Sequence, residues 1–113
     1  MVKIEAYVLP HRLDAIKAAL QHMSLEGVSY CHVMDYGGAL GLKAFYRGSE
    51  YIVDTPRIKL EVLVHLYDSE EVINALSNAG RGDQVSDDDL IVVSEVTDAL
   101  RIRRGRRIQL ALT

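Results

Sequence analysis

A single cysteine, Cys31, cannot close an internal disulfide, and the chain opens on no charged-then-apolar leader. Both point to a reducing cytoplasm. No apolar run reaches the roughly 18 residues needed to span a bilayer, so a soluble protein is expected. Positive charge is not in excess: 13 Lys and Arg against 16 Asp and Glu leave a formal net charge of −3. That balance offers no general attraction to nucleic acid or anionic membrane, which removes both from the expected partners. Signatures of chemistry are also sparse. His11, His22, His32 and His65 fall on different predicted elements with no i, i+4 pair on one helix, so they read as surface or rim histidines and no metal site is expected. Cys31 and His32 are neighbours on a predicted strand and face opposite sides, which excludes a local thiolate–imidazole pair and leaves Cys31 as a small core residue. There is no GxxxxGK phosphate loop and no GxSxG elbow. Glu5 and Glu61 read as cross-strand partners of Lys3 and Lys59 rather than acid–base catalysts. No enzymatic activity is expected.

What the chain does have is a pattern. With 113 residues, 49% of them hydrophobic, it is sized for one domain spanning residues 1–113. A domain this small hides only about two-thirds of its unfolded surface, so a partner copy is a natural complement. Residues 2–9 alternate, with Val2, Ile4, Ala6 and Val8 on one face, which predicts a strand. After Pro10, Leu13, Ile16, Leu20 and Met23 recur at helical spacing, and Gly27 is expected to close that helix. Residues 28–36 are rich in β-branched and aromatic side chains and predict a second strand, ended by Gly37 and Gly38. Ile58, Leu60, Val62 and Val64 mark a third strand over 57–65. Asp68 followed by Glu71 suggests a capping box, and Val72, Ile73, Leu76 and Ala79 form the stripe of a second helix expected to stop before Gly80. Residues 90–93 predict a short buried-type strand. The order βαββαβ is that of an α+β, ferredoxin-like sandwich in which two helices cover one sheet face. Tyr7, Leu9 and Leu63 lie on the other face, which reads as too apolar for water and therefore as a surface for self-association.

Two segments stand outside this pattern. Residues 37–56 follow neither period and carry Phe45, Tyr46, Tyr51, four glycines and charges of both signs. A connection of that length in a compact domain suits a binding loop, with a hairpin extending the flanking strands as the alternative. Residues 101–113 concentrate Arg101, Arg103, Arg104, Arg106 and Arg107, while Asp83, Asp87, Asp88 and Asp89 crowd the loop at 80–89. Clustered guanidiniums in an acidic chain form a local anion site suited to phosphate, because each offers a planar fork to two oxygens. A solvated basic tail neutralised by the aspartate loop is the other reading.

KIEAYVLPHRLDAIKAAL at the N-terminus, YRGSEYIVD in the long loop, RIKLEVLV in the third strand and LRIRRG near the end occur in that order. Together they make the chain resemble the PII signal-transduction family along nearly its whole length. The resemblance implies a homotrimer of ferredoxin-like subunits, nucleotide sites in the clefts between subunits, and long loops that grip target proteins, such as transporters or metabolic enzymes, without catalytic turnover. Tyr51 matches the loop tyrosine that some members have nucleotidylylated, and Arg47, Gly48 and Glu50 match its neighbours. The nucleotide-binding positions implied are Ser29, where the family has a threonine near the adenine; Gly37 and Gly38 at the loop base; Val64; Asp88 and Asp89 in the second phosphate loop; and Arg101 and Arg103, which match arginines that reach phosphate across the subunit boundary.

The departures shape the ligand expected. Gly38 and Ala39 stand where ATP-binding members have arginine and glutamine, so the side chain that helps hold magnesium and 2-oxoglutarate is missing. Ser86, Asp87, Asp88 and Asp89 replace a glycine-aspartate-glycine-lysine run. A lysine 4 Å from a phosphate charge gains about 4 kcal/mol at an effective dielectric near 20, and a carboxylate there turns that gain into a repulsion. ADP or AMP is therefore expected over ATP, with a small anion such as bicarbonate in the neighbouring space. Three consecutive carboxylates point apart on an extended loop, so a bridging divalent cation is the lesser alternative. No prosthetic group is expected. The competing functions are a nucleotide-independent trimeric adaptor that uses the arginine-rich tail on an acidic partner, and a nitrogen regulator modified at Tyr51.

Overall fold

The computed structural model describes residues 1–36, 54–82 and 89–108, and the backbone alone at 43–46 and 49–52. Strand β1 (Val2–Val8) has strict alternation of buried and half-buried residues. Pro10 opens a short 3-10 turn leading into α1 (Leu13–Leu20), where its missing N–H removes no ladder bond. Helix α1 ends at Leu20, and Gly27 is instead the first residue of β2 (Gly27–Asp35). The helix stops six residues early because residues 21–26 must turn the chain back, and Glu26 N–H already donates to the Leu63 carbonyl at 2.8 Å to start the sheet. Strands β3 (Lys43–Tyr46) and β4 (Ser49–Ile52) pair with each other as a separate two-stranded ladder within the long connection. Each is only four residues, too short for its alternation to stand out. The remaining residues of 37–53 lie outside the described residues.

Strand β5 runs from Thr55 to Val64, so Pro56 lies inside it. Proline is tolerated because residue 56 pairs only with Met34 of β2, beyond the end of the β1 ladder. Helix α2 (Ser69–Arg81) follows a second 3-10 turn. The capping box does not form: Asp68 is helical and makes no side-chain cap bond, while Ser69 Oγ–H donates to the Leu66 carbonyl at 2.7 Å. Gly80 does not end α2 but packs inside it, where an added Cβ would lie 3.1 Å from Val8. Gly82 is the cap, at φ +54°, with the Arg12 guanidinium against it. Strand β6 (Leu90–Glu95) precedes a small hairpin of β7 (Leu100–Arg101) and β8 (Arg106–Arg107).

The four-stranded antiparallel sheet has the order β2-β5-β1-β6, the α+β, ferredoxin-like βαββαβ arrangement. Its core joins Ile4, Ile58, Leu60, Val62 and Val64 to Ile16 and Leu20 of α1 and to Val72 and Leu76 of α2. Both helices centre on β1 and β5. The edge strands are therefore poorly covered on the helix side, with Val28, Tyr30 and Met34 on β2 and Val93 on β6 exposed; Leu90 and Val92 of β6 are exposed on the open face, so β6 is not a buried-type strand in one chain. The open face also differs from expectation. At its centre Lys3 meets Glu5 at 3.0 Å and Lys59 meets Glu61 at 3.3 Å, with Tyr7 donating to Glu5 at 3.0 Å. The pairs run mainly along single strands, Lys3–Glu5 in β1 and Lys59–Glu61 in β5, rather than across strands as read; Lys59 alone also reaches across, 4.0 Å from Glu5. Together they make the face a charge ladder, with apolar Leu63 and Val92 towards its margins. Cys31 lies on exposed β2 and is not a core residue. Among the described residues no helix is long and apolar enough to cross a membrane.

Candidate functional site

The described candidate residues fall towards two ends of β5. At its C-terminal end, Glu26 is the hub. Its Oε2 accepts from Arg101 Nη2 at 2.8 Å, and Arg101 Nη2 also donates to the Glu26 carbonyl. Glu26 Oε1 accepts from His65 Nε2 at 3.1 Å; a carboxylate can only accept, which fixes the proton on Nε2. The His65 ring stacks on Tyr67, 5.5 Å between centroids. His65 is thus a half-buried member of a cluster rather than a bland rim residue. Arg103 and Arg104 stand exposed beside Arg101, and with Glu26, Leu100 and Ile102 they line an open cleft of about 670 Å³. Ser29, Glu61 and Leu63 line a second hollow of about 380 Å³ with Gly27. Val64 does not reach either: it is fully buried in the core, and Leu63 is the side chain that turns outward at that strand end. Alternation along β5 alone distinguishes the two. Glu26 itself carried no sequence signal, since its partner lies 75 positions away.

At the other end, Asp89 pairs with Arg57, whose guanidinium also lies 3.5 Å from Asp35. Arg57 is only 4% exposed. Asp89 is therefore not a bare charge, and its described partner is Arg57 rather than the arginine tail. Gly37, Gly38, Arg47, Gly48 and Asp88 lie outside the described residues, and for Glu50 and Tyr51 only the β4 backbone is described. No cluster of three metal-ligating side chains occurs among the described residues.

The carboxylates report their partners. Glu26 is held below its ordinary value of 4.5 chiefly because Arg101 donates to it, with burial opposing and His65 adding. Asp98 is held below 3.8 by Arg107, which donates to it at 2.9 Å. Both folded values lie below the unfolded ones. Each link therefore stabilises fully above the ordinary value and is lost as pH falls through the depressed one. The melting temperature is expected to drop between about pH 5 and pH 3, less steeply in Asp98→Asn. An unchanged slope in that variant would remove the Arg107–Asp98 link from the balance.

The arrangement of these two ends matters for what one chain can bind. From Arg57 to Leu63 the strand advances six residues, about 20 Å at the usual rise. Asp89 is thus separated from Arg101 within one chain. The architecture, the arginine hairpin and the whole-chain match bear on family directly: residues 1–106 match the family described as nitrogen regulatory protein P-II. This chain belongs to the P-II family. The P-II protein of Rhizobium meliloti (strain 1021) is 40% identical over 106 residues, covering 93% of this chain and 94% of the relative. That of Cereibacter sphaeroides is 39% identical over the same shares. P-II 1 of Methanothermobacter thermautotrophicus (strain ATCC 29096 / DSM 1053 / JCM 10044 / NBRC 100330 / Delta H) is 36% identical over 93% of this chain and 91% of its own. As a P-II protein the chain is a signalling regulator rather than an enzyme by family.

Proposed function

We propose that this P-II protein assembles as a homotrimer and binds adenine nucleotide, ADP or AMP over ATP, in the clefts between copies. The observation that carries the reading is the separation of its two half-sites. Arg101, Arg103 and Ser29 lie towards one end of the sheet and Asp89 at the other, about 20 Å away along β5. A single adenylate could be gripped by both only where two copies abut. The exposed β2 and β6 edges, with Leu90 55% and Met34 61% exposed, give such contacts an apolar motive.

The preference among nucleotides follows from position 89. A lysine there would attract the terminal phosphates, and Asp89 supplies no such charge. Its pairing with Arg57 softens the repulsion, so the preference rests mainly on the lost attraction. Occupancy would act on residues 37–56 by differential affinity for two loop states, and that loop would engage a protein target, a transporter or a metabolic enzyme, in carbon or nitrogen acquisition. Bicarbonate is the small anion proposed for the space left by Gly38 and Ala39.

Thermal shift with AMP, ADP and ATP tests this. A ligand at 100 times its dissociation constant adds about 2.7 kcal/mol, several degrees for a domain of this size. ADP and AMP are expected to exceed ATP. An ATP response larger than both would overturn the Asp89 argument. No response to any of them would favour the adaptor reading, for which one observation speaks: Arg103, Arg104 and Arg106 are exposed and have no acidic partner among the described residues.

A further inference from the structure

We propose that Glu26 is an internal competitor for the phosphate seat at Arg101 and so a determinant of which anions the cleft accepts. The inference rests on the reading of Arg101 and Arg103 as phosphate ligands. In the chain alone the Nη2 arm of the Arg101 fork is already taken, since it donates both to Glu26 Oε2 at 2.8 Å and to the Glu26 carbonyl. Phosphate and carboxylate oxygens compete for the Nη2 hydrogens, so a phosphate that takes a two-bond grip including Nη2 must displace one or both of these contacts.

Glu26 is built to let go without being stranded. Its backbone is fixed independently, by the N–H donated to Leu63 at 2.8 Å. Its other carboxylate oxygen stays on His65 Nε2 at 3.1 Å, and the His65 ring is itself steadied by its stack on Tyr67. Losing Arg101 therefore leaves the carboxylate hydrogen-bonded and half-exposed rather than unpaired in the interior. Arg103 has no acidic partner among the described residues and lines the same cleft, so it offers the first contact to an anion and Arg101 the second. The released carboxylate then remains beside the ligand. Its repulsion grows with the ligand's charge, which penalises longer phosphate chains more than shorter ones.

Glu26→Gln keeps an acceptor for His65 and the side-chain shape while removing the charge. Isothermal titration of wild type and Glu26→Gln with adenosine, AMP, ADP, ATP and inorganic pyrophosphate is the test. Adenosine binding is expected to be unchanged, ADP to bind about three- to fivefold tighter in the variant, as suits a partly exposed ion pair, and the gain to rise from AMP to ATP. Tighter pyrophosphate binding in the variant, with no nucleotide response in either protein, would keep the competition and discard the adenylate site. No gain for any anion, or an equal gain for adenosine and ADP, would overturn the role given to Glu26.

Discussion

The double variant Arg101→Ala, Arg103→Ala is expected to bind ADP about 3–5 kcal/mol more weakly than wild type, a loss of two to four powers of ten. Hydrogen bonds to charged groups are worth about 1.5–3 kcal/mol each, and two guanidiniums on one phosphate chain make most of the polar contact available. The two contributions should not be equal. Arg101 leaves Glu26 to meet phosphate, exchanging one charged bond for another, whereas Arg103 makes its contact from solvent. Arg103→Ala alone should therefore cost most of the effect, about 1.5–3 kcal/mol, and Arg101→Ala less. Titration calorimetry separates them. Equal losses would contradict the exchange at Arg101, and unchanged ADP affinity in the double variant would remove the arginines from the site.

Ile4→Ala is expected to destabilise the folded chain by about 3–4 kcal/mol, within the span seen for large-to-small changes in rigid cores. Ile4 has no exposed surface and sits mid-strand in β1, between Val62 of β5 and Val93 of β6. The turn that leads into α1 is tied to α2 by Arg12, which donates to the Ala79 carbonyl at 2.8 Å, so the site has little room to collapse into the cavity. Urea unfolding at several protein concentrations measures the change while accounting for assembly. A loss under about 1 kcal/mol would mean the sheet relaxes more than this packing allows.

Much of the fold was legible because local periodicity and tertiary burial agree. Strands β1 and β5 alternate cleanly since only one of their faces meets the helices, and the stripe of α2 repeats at helical spacing over Val72, Leu76 and Ala79. The boundaries misread were those where glycine has more than one use. Gly27 begins a strand because the Leu63 carbonyl recruits its neighbour, and Gly80 is small because Val8 presses on it, not because a helix ends there. Asp68 had the right residue type for a cap but the wrong backbone, since the preceding 3-10 turn already satisfies the helix entrance. The site was legible only in part. Arg101 and Arg103 were marked by their clustering, yet Glu26 and Arg57 act through partners 75 and 32 positions away, and no local pattern encodes such pairs. At the end of β5 the Val64 side chain is buried and Leu63 turns outward, so alternation decides which side chain faces the hollow.

The most direct test of a shared adenylate cleft is a crystal structure of the protein grown with ADP. The predicted result is the nucleotide wedged between two copies, its phosphates on Arg101 and Arg103 of one and its other side against the loop base and Asp89 of the next. Guanidiniums turned to bulk water around an empty cleft, or ADP held wholly within one copy, would contradict it.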